Sequence, residues 1–160
     1  MNAKKRVLFL CTGNCCRSQM AEAILRHLDP LHFEALSAGS QPAGFVHPLV
    51  IRVLKEMQVP LIDQYSKSWE EFRGRPIDLL ITVCDLAAAE VCPAWPGRPP
   101  TVHWPLPDPV AFYGSEADQL ALAGRVAERL RLKLQRLVAL DWDHHDAEEL
   151  HEELNRIAQL

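Results

Sequence analysis

The chain has 160 residues, 48% hydrophobic and 24% charged. That is the size and balance of one globular domain with an ordinary core, and it argues against a disordered, collagen-like or coiled-coil chain. The net charge of −4 is uneven: residues 141–160 hold seven acids and one base, and the other 140 residues total +2, which excludes the dense basic face of a nucleic-acid binder but allows a small anion as ligand.

Val7-Leu8-Phe9-Leu10 is a continuous apolar run, as in a strand buried on both faces. With Cys11 it is too short for a bilayer span or a signal segment, so a cytoplasmic location without membrane contact is expected. A polar loop, Cys11 to Arg17, follows. Met20, Ala21, Ile24, Leu25 and Leu28 then recur at helical spacing until Asp29-Pro30 ends the helix. Phe33 to Ala38 reads as a second strand closed by Gly39. Pro48 opens a helix lined by Val50, Leu54 and Met57. Leu79 to Val83 is a third strand with Cys84 directly after it, and Thr101 to Trp104 a short fourth. Glu116 to Val138 is a long helix with Leu120, Ala123, Ala127, Leu130, Leu134 and Leu137 inward and arginines outward. A last helix is expected from about His144 to Ala158, capped by Asp143, with Ala147, Leu150, Leu154 and Ile157 on its apolar face. Alternating strands and helices imply an α/β domain with a parallel sheet.

The five cysteines are Cys11, Cys15, Cys16, Cys84 and Cys92. Their odd number in a chain of cytosolic character favours thiol chemistry or metal binding over a disulfide framework. Chemistry concentrates in Cys11-Thr12-Gly13-Asn14-Cys15-Cys16-Arg17-Ser18, between a strand end and a helix start. That junction is an anion site, because free amides and the helix dipole face it. Gly13 and Asn14 tolerate positive φ, so the amides can turn inward as a nest. Arg17 offers a bidentate fork to a tetrahedral oxyanion. Cys11 at the nest floor is expected to be a thiolate nucleophile with a pKa well below its free value of about 8.5, with Ser18 donating to its sulfur.

Cys11-Thr12-Gly13-Asn14, Cys16-Arg17-Ser18-Gln19-Met20-Ala21-Glu22, Ser37-Ala38-Gly39, Thr82-Val83-Cys84-Asp85, Cys92-Pro93 and His103-Trp104 with Asp108-Pro109 together resemble the superfamily of low-molecular-weight protein tyrosine phosphatases and thioredoxin-coupled arsenate reductases. The resemblance covers roughly residues 5–138. It implies a four-stranded parallel sheet in order 2-1-3-4 with helices on both faces; a phosphatase-like body over residues 1–140 is then expected, with residues 141–160 as an acidic helical extension by their charge and periodicity. In both families Cys11 is the nucleophile, Arg17 the oxyanion clamp and Asp108 the general acid.

Cys84 and Cys92 favour the reductase. With the first and third strands adjacent, about 4.8 Å apart, Cys11 and Cys84 should share one rim of the sheet. Arsenate reduction needs two electrons, and no tightly bound redox cofactor is expected. The implied relay forms Cys11–Cys84, then Cys84–Cys92, which a thioredoxin or a glutaredoxin/glutathione system reduces. Residues 84–92 are rich in helix formers, and a helix would hold Cys84 and Cys92 about 12 Å apart, too far to bond. Residues 84–98 are therefore expected to switch shape with redox state. A tyrosine phosphatase, or a non-catalytic oxyanion or arsenite sensor, are the alternatives. A zinc site from Cys84, Cys92 and His103 lacks a close Cys-x-x-Cys pair, and no resident metal is expected.

Reductase relatives can hold potassium near the loop. Asn14, Glu22 and Ser37 match that pattern, but Lys67-Ser68 stands where a carboxylate is expected, so either potassium or the Lys67 ammonium should support Asn14 and the loop. Cys15 is expected to be an inert small side chain. His144, His145 and His151 are expected on a solvated acidic helix.

Overall fold

A computed structural model describes residues 3–84 and 98–160. The parallel sheet has the order β2-β1-β3-β4, from β1 (Lys5–Leu10), β2 (Phe33–Ala38), β3 (Leu79–Thr82) and β4 (Thr101–His103). Val7 to Leu10 are at most 1% exposed. Successive strand residues point to opposite faces, so both faces of the central strand are covered, which explains its unbroken apolar run.

Helix α1 (Arg17–Leu28) leaves the sheet directly after the loop. Helix α2 (Pro48–Glu56) starts with Pro48 behind the His47 cap, whose side chain accepts from the Leu49 amide. A single 3-10 turn, Trp69–Phe72, which the sequence reading did not include, follows the cap Ser68. Helix α3 (Glu116–Val138) is bounded by a Ser115–Asp118 capping box and packs on α1 and α2.

Helix α4 (Ala147–Ala158) starts later than expected. Asp146, not Asp143, is the cap, because Asp146 and Glu149 form a reciprocal capping box, while His144 is held by Asp141 in the preceding turn. Its buried face is Leu154, Ile157 and Ala158; Ala147 is exposed. It packs on β4 and α3. No described helix is long and apolar enough to cross a membrane.

The register pairs Leu10 with Thr82. Cys11 and Cys84 therefore leave neighbouring strands at the same, carboxyl, edge of the sheet.

Candidate active site

The loop between β1 and α1 owes its shape to what binds it from outside. The carbonyls of Thr12, Gly13 and Cys15 accept from the amides of Gln41, Ala43 and His47, and that of Asn14 from Gln19 Nε2. A trans peptide carries its N–H opposite its C=O, so the amides of Gly13, Asn14, Cys15 and Cys16 turn toward the cleft. Asn14 has φ of 45°, a conformation Asn adopts more readily than most residues. Gly39 lets β2 pass close beneath: a Cβ there would come within 2.4 Å of the carbonyl oxygens of Cys11 and Thr12.

The floor of the loop is a buried polar network. Asn14 Nδ2 donates to Ser18 Oγ at 2.8 Å and to Ser37 Oγ at 2.9 Å, and Ser37 Oγ donates to Glu22 Oε1 at 2.8 Å. Asn14 Oδ1 accepts from the Lys67 amide and from Gln19 Nε2, each at 3.0 Å. Lys67 Nζ donates to the Tyr65 carbonyl at 3.0 Å and lies 3.4 Å from Glu22 Oε1 and 3.5 Å from Ser37 Oγ. Arg26 holds the other oxygen of Glu22 at 3.1 Å. Gln19 and Arg26 were not among the expected site residues; the readable signal was that they share with Glu22 the side of α1 opposite its apolar stripe. Because the Lys67 ammonium already takes the oxygens that would ligate a cation, these residues do not fit a potassium ion in addition.

A cleft of about 400 Å³ is lined by Cys11, Cys15, Cys16, Arg17, Cys84 and Asp108, among others. Arg17 Nη1 donates to the carbonyls of Leu106 at 2.9 Å and Val83 at 3.4 Å, and Nη2 is 3.4 Å from Asp108 Oδ2. Among the described residues, Arg17 Nε is buried with no hydrogen-bond partner. An unmet buried donor costs about 1–3 kcal/mol, which an oxyanion in the nest would recover. Asp108 Oδ1 accepts from the Val110 amide at 2.9 Å, fixing the carboxylate beside Arg17.

Cys11 and Cys84 are both buried and hydrogen-bonded to each other, and Cys84 Sγ also accepts from the Thr12 amide at 3.4 Å. This bond and burial push the Cys11 thiol well above its ordinary value; Arg17 opposes the shift and Asp108 adds to it. The expectation of a depressed pKa is thus corrected for this resting arrangement: the second sulfur and the carboxylate lie in the same cleft, and Arg17 is shared with Asp108. Burial, then Asp108, pushes Cys16 up to about 12 and also raises Cys15, so both are protonated near neutral pH.

Cys92 and nearly all of the 84–98 segment lie outside the described residues. His103 Nδ1 is 2.8 Å from Thr82 Oγ1. His144 and His145 pair with Asp141 and Glu149 on the exposed side of the C-terminal segment. Among the described residues no three His, Cys, Asp or Glu are grouped to hold a metal ion.

The profile of the low molecular weight phosphotyrosine protein phosphatase family matches residues 6–155. An arsenate reductase from Halalkalibacterium halodurans is 34% identical over 132 residues, 82% of this chain and 94% of its own length. A solved thioredoxin-dependent arsenate reductase from Corynebacterium glutamicum is 32% identical, with a TM-score of 0.60 over 81% of this chain and 60% of that one. A low molecular weight protein tyrosine phosphatase from T. tengcongensis is 26% identical, with a TM-score of 0.67 over 84% and 98% of the two chains.

Proposed function

We propose that this chain, which belongs to the low molecular weight phosphotyrosine protein phosphatase family, reduces arsenate to arsenite by thiol–disulfide exchange. The observation that carries this reading is the Cys84 sulfur beside Cys11 in the oxyanion cleft: hydrolysis of a phosphate ester has no use for it, and reduction requires it. The arsenate reductase relative, matched over nearly all of its length, supports the same choice.

Arsenate enters the nest, its oxygens accepting from the inward amides and from Arg17. The Cys11 thiol passes its proton to the Asp108 carboxylate as the anion arrives, and the sulfur attacks arsenic. Asp108 protonates the departing oxygen, which leaves as water. Cys84 thiolate then attacks the Cys11 sulfur. The electron pair of the S–As bond goes to arsenic, arsenic(V) becomes arsenic(III), and arsenite leaves a Cys11–Cys84 disulfide. Cys92 attacks Cys84, frees Cys11 and moves the oxidation to Cys84–Cys92. A dithiol donor of thioredoxin type, or a glutaredoxin/glutathione system, returns the two electrons. Such a cycle suits the reducing cytoplasm.

Lys67 is the support of the loop in this scheme. Its amide fixes Asn14 and its ammonium neutralises Glu22, the work a bound potassium ion would otherwise do.

The test is arsenate-dependent oxidation of a reduced thioredoxin or glutathione system. The reading predicts oxidation that stops in Cys84→Ser; a chain that consumes no reductant with arsenate contradicts it. Cys11, Arg17 and Asp108 also form a complete phosphatase set, which favours a residual activity on aryl phosphates. Turnover of p-nitrophenyl phosphate that survives Cys84→Ser and Cys92→Ser would identify that activity.

A further inference from the structure

The acidic extension takes no part in the chemistry above, yet its end is clamped from the body. Lys133 lies on the buried face of α3 and is 1% exposed. Its Nζ donates to the main-chain oxygens of Ile157, Ala158 and Leu160 at 3.1, 2.9 and 3.0 Å. An ammonium has three protons, and here each has an acceptor. The acceptors belong to the end of α4, where a helix leaves its carbonyls unpaired and its dipole is negative. Burial, with help from Arg129, lowers the Lys133 pKa to about 8, so the group is still mostly charged at neutral pH.

The same Nζ lies 5.9 Å from the centre of the Trp104 ring, within cation–π range. Trp104 is fully buried and follows β4, on which α4 packs. The chain from there reads Trp104-Pro105-Leu106-Pro107-Asp108-Pro109. Prolines at alternate positions fix φ, so a displacement of Trp104 is passed along the segment rather than absorbed. Two residues on is the Leu106 carbonyl that anchors Arg17, and two further is Asp108. Packing α4 through Leu154, Ile157 and Ala158 needs no buried charge, and an apolar residue of similar volume would be the less costly choice in the core.

We propose that Lys133 is a positioning residue: clamped to the end of α4, it seats Trp104 and thereby sets Asp108 and the Leu106 carbonyl against Arg17. The kinetic part of this inference rests on the arsenate-reduction reading.

The test uses the full chain. Lys133→Met removes the three donors but keeps an unbranched side chain, and Leu154→Ala loosens α4 without touching Lys133. Val50→Ala in α2, also fully buried, controls for lost stability. Both test variants should lower kcat for arsenate by about fivefold to tenfold with KM changed less, the pattern of a misplaced acid rather than a lost binding group. Val50→Ala, at a similar loss of melting temperature, should keep kcat within about twofold. Amide exchange at Trp104 and Val110 should quicken about tenfold or more in the test variants, and not at Leu10. Equal kcat in Lys133→Met and Val50→Ala at matched stability, or unchanged exchange at Trp104 and Val110, overturns the proposal. A wild-type chain that consumes no reductant with arsenate overturns the reductase reading instead, and the exchange comparison still decides the clamp.

Discussion

Cys84 Sγ accepts a hydrogen bond from the Thr12 amide at 3.4 Å, so the sulfur proposed to resolve the intermediate is tied to the loop that carries the proposed nucleophile. The tie follows from the β1–β3 register, which pairs Leu10 with Thr82 and brings both chains out at one edge. It also means that each sulfur senses the ionisation of the other.

Replacing Cys84 by Ala should therefore shift the alkylation of Cys11 by iodoacetamide to lower pH. The hydrogen bond with Cys84 is the largest cause of the raised Cys11 pKa. Removing it favours the thiolate, which is the reactive form above its pKa and is lost as pH falls through it. At a fixed neutral pH the variant should alkylate faster, while arsenate reduction disappears. An unchanged alkylation profile would show that the two sulfurs do not interact.

Asp108→Asn should separate acid catalysis from nucleophile activation. Loss of the proton donor should lower arsenate turnover by about 10²-fold or more. Asp108 raises the pKa of Cys11, Cys15 and Cys16, so the same variant should speed Cys11 alkylation at neutral pH. Parallel falls in both rates would point to collapse of the loop.

Turnover of the wild type should not depend on potassium, changing by less than about twofold when potassium salts replace tetramethylammonium salts. Lys67→Ser removes the ammonium that pairs with the buried Glu22. It should cost about 2–4 kcal/mol in a denaturant melt, since one partner of a buried pair is left behind, softened here by Arg26. Potassium should then partly restore its stability and turnover. A strong potassium response in the wild type would contradict the role given to Lys67.

Gly39→Ala should damage the loop without touching a catalytic group. The new Cβ meets two backbone oxygens at 2.4 Å, and backbone cannot swing aside as a side chain can. A stability loss of about 1–3 kcal/mol and a raised KM for arsenate are expected, measured by melts and initial rates. A wild-type KM would show that the loop is indifferent to this contact.

Much of this architecture could be read in the residues. Val7 to Leu10 announced a strand covered on both faces, and the apolar stripe from Leu120 to Leu137 announced α3. The loop was legible because strand end, glycine, asparagine, arginine and helix start occur together in eight residues. What stayed hidden depended on long-range partners. The late start of α4 turned on competition between Asp141, Asp143 and Asp146 for nearby groups, which local preference ranks poorly. Nothing local singled out Lys133, because its acceptors lie 24 or more residues away. The raised Cys11 pKa came from Cys84 and Asp108, residues far along the chain whose distance from the sulfur only the folded structure supplies.

The central claim is that Cys11, Cys84 and Cys92 pass one oxidation from arsenate outward. Its most direct test is mass-spectrometric mapping of disulfides after a single turnover with arsenate and no external reductant. The relay predicts Cys84–Cys92 in the wild type and Cys11–Cys84 in Cys92→Ser. Reduced cysteines throughout after arsenate treatment, or a disulfide confined to Cys15 and Cys16, would contradict it.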